Sequence, residues 1–161
     1  MTKTKRLCMI AMTAAIYVAM TEVNPVSWGT VQFRISNLIA VLPFFDSAFA
    51  PGVLAGIAIA NAMSPFGAVD VLFGVGAEAA AYGLCVWGPL KRATMMVKIL
   101  TLSVSVSLIV GAELTLLYQI SFWINAASLF FSTLLIGLAG AAILRPMLRR
   151  AQNYEKKRME K

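Results

Sequence analysis

Apolar residues in this chain do not alternate with polar ones. They come in runs of helical length, closed by Pro, Gly, Asn and Lys/Arg. The runs cover residues 7–23, 35–45, 48–63, 69–87, 95–117 and 123–144. A bilayer core takes about 20 apolar residues per helix, so the first, fourth, fifth and sixth runs predict membrane spans. The second and third are short and divided by Asp46. They predict either two short spans or a re-entrant hairpin sheltered among the other helices. Pro25, Trp28 and Gly29 mark a connector at 24–30, and Ser64-Pro65-Phe66-Gly67 marks a turn. The expectation is an all-α membrane protein with six transmembrane helices, one domain over residues 1–161, and a basic tail at 145–161 that begins where Arg145-Pro146 ends the last span. No internal repeat points to an inverted-repeat carrier.

Composition agrees with this pattern: 60% of the residues are hydrophobic and 13% charged, against 45–50% apolar in a typical soluble domain. The net charge of +7 would suit nucleic acid if it were spread over a face, but it is collected at three places. Lys3, Lys5 and Arg6 precede the first run, and Lys91, Arg92 and Lys98 flank the turn between the fourth and fifth. Arg145, Arg149, Arg150, Lys156, Lys157, Arg158 and Lys161 follow the last, which makes 13 of the 14 basic residues. By the positive-inside rule these three regions, and with them both termini, are expected in the cytoplasm. The basic tail then serves as a topology anchor that attracts anionic lipid. A cleaved signal peptide is disfavoured because the first run ends at Glu22-Asn24-Pro25 country without a small-x-small cleavage site. Cys8 and Cys85 read as small packing residues. With no histidine in the chain they make no metal site.

Few polar residues remain once the basic clusters are set aside. Glu22 closes the first run; Gln32, Arg34 and Asn37 enter the second. Asn61 closes the third, Asp70 opens the fourth, and Glu78 lies two turns deeper. Glu113, Tyr118, Gln119, Trp123 and Asn125 bracket the last outer turn. Nearly all fall at the expected outer half of the membrane. A charge in the apolar core costs about 2.5–3.5 kcal/mol on insertion scales, so such groups are expected to meet one another or a ligand. The structural alternative pairs Arg34 with Glu22 or Asp70 as an internal strut, and makes Trp28 and Trp123 interfacial belt residues.

Enzyme signatures are missing. There is no phosphate-binding loop, Gly74-Val75-Gly76 lies in an apolar helix, and Asp70 and Glu78 stand about 12 Å apart along a helix, too far to share one reacting bond. The chain is expected to be a non-enzyme without cofactor or metal. Two small-residue stripes complete the inventory. Gly52, Gly56 and Ala60 are expected to pack internally, and Ala11, Ala15 and Ala19 to offer a face for a partner helix.

The run Val31-Gln32-Phe33-Arg34-Ile35-Ser36, followed by Leu42-Pro43, Gly52-Val53-Leu54-Ala55-Gly56, Asn61, Ser64-Pro65-Phe66-Gly67 and Asp70-Val71-Leu72-Phe73-Gly74, resembles the queuosine-precursor transporter family QueT. These proteins are substrate-binding S components of energy-coupling-factor (ECF) transporters. The specific part of the likeness covers residues 29–75, and the six-segment layout extends it to most of the chain. One departure is Asn37, where the family pattern carries an acidic residue. The resemblance implies a six-helix S-component bundle in a bacterial cell membrane. Its pocket captures a deazaguanine, the aminomethyl or cyano precursor of queuosine, from outside. The same resemblance implies a membrane-embedded coupling (T) subunit docked on the first-helix stripe, and two cytoplasmic ATPases. For that ligand, Asp70 and Glu113 are expected as acceptors, Asn61 and Asn125 as amide partners, and Trp123 as a stacking platform. Gln32 and Arg34 are expected to order the first connector. Asn37, Tyr118, Trp28 and Glu22 are further candidates, and Glu78 is ranked lower as too deep. An S component for another vitamin-like solute and a non-transporting membrane scaffold are the alternatives.

Overall fold

The structure, a computed structural model, describes residues 3–27 and 32–159, with side chains described as far as Arg150. Five α-helices make the bundle: α1 (Lys3–Glu22), α2 (Ala50–Ala62), α3 (Ala68–Tyr82), α4 (Met95–Tyr118) and α5 (Phe122–Met159). Helix α1 packs on α2, α2 on α3, α3 on α4 and α4 on α5. The ring is closed by the 3-10 turn Ile35–Leu38, which touches both α1 and α5.

That closing segment corrects the expected helix count. Residues 35–45 are not an α-helix but successive 3-10 turns at Ile35–Leu38 and Leu42–Phe44, with a third at Ser47–Phe49 leading into α2. Pro43 has no N–H to give a helix, and Asp46 caps the third turn by accepting from the Ala48 N–H at 2.9 Å. Short i→i+3 bonds satisfy the backbone, among them Ile39 N to Ser36 O at 2.9 Å and Leu42 N to Ile39 O at 3.0 Å. Irregular backbone at membrane depth is tolerated only inside protein, and Ala40 and Val41 are fully buried. Among the described residues, three helical stretches are long and apolar enough by length and composition to cross a bilayer: Ala68–Trp87, Met95–Tyr118 and Phe122–Arg150. Helix α1 carries its three cations in the first turn, and Ile35–Phe44 and Ser47–Ala62 are shorter apolar stretches.

The end of α5 lies beyond the end of its apolar run. The apolar run stops at Leu144, but the helix continues through Pro146 to Met159. A proline removes one helical hydrogen bond and kinks or breaks the helix when nothing else supports it. Here the Leu-Arg-Arg sequence beyond it keeps good helix formers in place, so the end of the hydrophobic stretch and the end of the helix separate.

Small residues set how closely elements approach. At Gly52 an added Cβ would lie 2.8 Å from the Ile10 carbonyl oxygen, and at Gly56 2.7 Å from Tyr17 Cβ. The Gly52/Gly56/Ala60 stripe is therefore internal packing against α1, as its spacing predicts. Ala11, Ala15 and Ala19 lie exposed on the other side of α1, whose Thr13, Ala14, Tyr17 and Thr21 are buried. Exposed Leu72, Leu108, Leu116, Phe131 and Leu135 give α3, α4 and α5 an apolar outer surface, as a lipid-facing bundle requires. Gly56→Val should cost about 1–3 kcal/mol by overpacking, read as a lowered unfolding midpoint of the purified protein in detergent. A midpoint equal to the parent's would show that α1 and α2 can part without loss.

Candidate functional site

Polar residues converge at one end of the bundle because four helices each turn one face inward there. Asp70, Gly74 and Glu78 recur at i, i+4 and i+8 on α3. Val106, Val110 and Glu113 share a face of α4, and Asn125, Leu129, Ser132 and Thr133 share one of α5. Thr13, Tyr17 and Thr21 do the same on α1. Gln32, Asn37, Asn61, Asp70, Glu78, Glu113 and Asn125 are all buried, none more than 5% exposed.

Arg34 is the hub. It stands in extended backbone just before the first 3-10 turn, and its Nη1 donates to Asn61 Oδ1 at 2.9 Å. Its Nε donates to the Ser27 carbonyl at 3.3 Å. Asn61 passes the connection on, donating from Nδ2 to the Asp70 carbonyl at 2.8 Å. Only a glycine fits opposite that amide: a Cβ at Gly74 would run into Asn61 Nδ2. The guanidinium's charge also reaches Glu78 and Glu113, and Glu113 faces Asp70. The fully buried Tyr17 sets its hydroxyl near Arg34, Ser36 and Glu78, without a hydrogen bond of good geometry.

The connector that delivers Arg34 is tied down on both sides. Asn24 donates to the Phe33 carbonyl and accepts from the Val26 N–H. Thr21 Oγ1 and Ser36 Oγ share a hydrogen bond at 2.8 Å. From α5, Ser132 Oγ donates to the Gln32 carbonyl at 3.0 Å, and Thr133 Oγ1 accepts from Asn37 Nδ2 at 3.3 Å. Between Gln32, Arg34, Asn37, Gly74, Glu78 and the apolar Val106, Val110 and Leu129 lies a void of about 10 Å³, on the scale of a single water.

Acceptors outnumber donors at this end. Among the described residues, three buried carboxyls (Asp70, Glu78, Glu113) face one guanidinium. Glu113 Oε1 and Asn125 Oδ1 are buried without a hydrogen-bond partner, while Asn125 Nδ2 donates to Thr115 Oγ1 at 3.2 Å. A buried unpaired acceptor costs about 1–3 kcal/mol. The unpartnered groups are acceptors, which a donor would satisfy.

The structure thus brings together Gln32, Arg34, Asn37, Asn61, Asp70, Glu78 and Glu113, with Asn125 close by on α5. Glu78, ranked lower for its depth, lines the void itself. Trp123 stands apart, 78% exposed and edge-on to Phe122 with centroids 5.3 Å apart. Residues two apart on a helix do not face the same way, so α5 cannot turn both Trp123 and the buried Asn125 inward. Glu22 is exposed at the end of α1. Tyr118 is half-buried against Phe66, centroids 5.4 Å apart, and Trp28 lies outside the described residues. Tyr17, Thr21, Ser132 and Thr133 were not singled out from the sequence. Their signal was present, a hydroxyl at every fourth position of an apolar helix, beside the alanine stripe that was read instead.

Comparison with known proteins places this arrangement. A curated relative, "Queuosine precursor transporter QueT" of Lactococcus lactis subsp. cremoris (strain MG1363), is 36% identical over 75 residues, which cover 45% of this chain and 44% of that protein. The aligned stretch is thus under half the length of either. No solved structure matches at a significant level. The profile described as QueT transporter matches residues 7–150, which takes in the connector, the α3 carboxyls and Glu113. By that match over most of its length, the chain belongs to the QueT transporter family.

Proposed function

We propose that this protein is the substrate-binding S component of an ECF-type importer, that it captures a deazaguanine precursor of queuosine, and that the buried polar cluster is its binding site. The observation that carries the reading is the acceptor excess: three carboxyls against Arg34, with Glu113 Oε1 and Asn125 Oδ1 unpaired. A guanine-like edge offers a ring N–H and an exocyclic amine, and an aminomethyl substituent adds an ammonium. Such a ligand brings the donors that the site's acceptors lack and a positive charge to its carboxyls, so the aminomethyl base suits the site better than the neutral cyano base. Asp70 and Glu113 accept from the ligand, Glu78 balances its cation, and the Asn61 and Asn125 amides meet its remaining polar edge. Because the void is water-sized, a base of about 13 heavy atoms, bound with the high efficiency open to small ligands, enters only as Arg34 and Gln32 swing aside.

The cluster holds no reacting constellation and no nucleotide-binding loop, which supports transport driven by separate ATPases. The exposed Ala11, Ala15 and Ala19 on α1 suit close docking of a coupling subunit. The basic residues gather at the end of the bundle away from the cluster, which supports a site opening outward and cytoplasmic termini. A scaffold role leaves the unpaired acceptors of Glu113 and Asn125 without a purpose.

Calorimetry tests the site. Asp70→Ala should lose at least about 2 kcal/mol of deazaguanine binding, and Glu78→Gln should narrow the preference for aminomethyl over cyano base. Wild-type affinity in both variants would sink the assignment. Orientation is read by single cysteines in a protein lacking Cys8 and Cys85: position 67 should react with an impermeant thiol reagent on intact cells and position 91 only after permeabilisation. The reverse pattern would invert the topology. Ala15→Trp should spare ligand binding and abolish uptake by the assembled transporter; undiminished uptake would remove the stripe from the docking surface.

A further inference from the structure

The opposite end of the bundle holds a second buried charge. Lys98 lies in the first turn of α4 and is only 9% exposed. Its backbone N–H bonds to Thr94 O at 3.1 Å. Its ammonium is not sealed in the core: its charge reaches the Cys85 thiol, and it opens on a cavity that Cys85 also lines. Buried charges are ordinarily paired, because an isolated one is costly to desolvate. The start of α4 makes the position worse, since the positive end of the helix dipole disfavours a cation there.

Lys98 lines a cavity of about 380 Å³ together with Lys91, Asp46, Ser47, Phe44 and Val86. Asp46 is the acid on this wall, and one of its oxygens is already engaged by the Ala48 N–H. Two ammonium groups against one carboxylate leave the cavity short of a single negative charge. Phe45 forms part of this wall and also of an adjoining cavity of about 700 Å³, where Arg145 and Arg149 stand over Met95, Ala141 and Leu148. The two cavities form a basin with a cationic rim and an apolar floor.

We propose that Lys98 and Lys91 bind the phosphate group of an anionic phospholipid, whose glycerol and acyl portions lie on the Phe45 side of the basin. A phosphodiester carries the single negative charge that the cavity lacks, whereas a free phosphate-type dianion of about −1.5 to −2 overshoots it. The basin also lies at the depth of the first turn of a helix long enough to cross the membrane, where lipid headgroups are found. This site is separate from the polar cluster and does not depend on what that cluster binds.

The test uses the purified full chain in phosphatidylcholine nanodiscs with graded phosphatidylglycerol. Thermal unfolding and native mass spectrometry of retained lipid are the readouts. The wild type should keep phosphatidylglycerol and unfold at a temperature that rises with its fraction. Lys98→Met, whose neutral side chain suits burial, should fold in pure phosphatidylcholine. It should bind phosphatidylglycerol roughly tenfold to a hundredfold more weakly, the scale of one charged hydrogen bond, while Lys98→Arg keeps the response. The exposed Lys91→Gln, which puts no fold at risk, should weaken it in part. An unchanged phosphatidylglycerol response in both Lys98→Met and Lys91→Gln overturns the site. A shift of equal size from inorganic phosphate in phosphatidylcholine discs overturns the lipid as its source.

Discussion

A backbone that is not α-helical cannot stand in lipid unless protein meets every N–H and C=O it exposes. The stretch from Gln32 to Asp46 is such a backbone, and much of the bundle is arranged around it. Tyr82 reaches from α3 to donate to the Ala40 carbonyl at 2.7 Å, and Ser132 from α5 donates to Gln32 O. Helix α5 comes close enough only because Gly140 and Gly137 lack side chains: a Cβ at Gly140 would sit 2.6 Å from the Leu38 carbonyl oxygen, and one at Gly137 2.9 Å from Ile99 Cγ2. These contacts place the segment between α1 and α5, where a sixth regular helix of membrane-spanning length would not fit in so few residues.

The same segment delivers Arg34 into the interior, and the chemistry follows from that placement. A guanidinium at this depth costs about 2.5–3.5 kcal/mol by insertion scales unless it is met. Asn61 and the Ser27 carbonyl meet it directly, its charge reaches the carboxyls of Glu78 and Glu113, and Asp70 faces Glu113. A purely structural strut would stop at one acid. Each further buried carboxyl adds desolvation cost without adding packing. Stability alone therefore does not explain the cluster, which is the ground for the proposed recognition of a donor-rich ligand.

Much of this could be read from the sequence, and what could not has a physical reason. Helix α4 fell within a residue of its expected limits, α3 began within one and passes at Gly83 into a π-helical turn that reaches the expected end at Trp87, and the Ser64–Gly67 turn formed with Gly67 at φ +51° and Ser64 Oγ accepting the Gly67 N–H. The burial of Asn61, Asp70, Glu113 and Asn125 followed from polar residues being scarce in apolar runs. Hydropathy reports composition, however, and not hydrogen-bond period. It could not distinguish 3-10 turns from α-helix at 35–45, nor separate the end of the apolar run from the end of α5. Trp123 was assigned by residue type; helical phase relative to Asn125 would have turned it outward. Tyr17 and Thr21 were overlooked because hydroxyls bonded within a helix, as Thr21 is to the Tyr17 carbonyl at 2.9 Å, look like ordinary parts of an apolar run.

Helix α4 ties the two ends of the molecule together. Lys98 and Glu113 are 15 residues apart on it, roughly 22 Å along the axis, with an apolar stretch broken only by small hydroxyl residues between them. A helix selected for stability alone would carry acid near its N-terminus and base near its C-terminus. Helix α4 has a lysine in its first turn and a glutamate within two turns of its end. Lys98 opposes the dipole directly; Glu113, farther from the terminus, opposes it weakly but is buried among other acids. Neither charge is repaid by its own helix. Glu113 is met from outside its helix by the charge of Arg34, and Lys98 borders a cavity it shares with Asp46, so each end of this rod depends on groups that other elements bring to it.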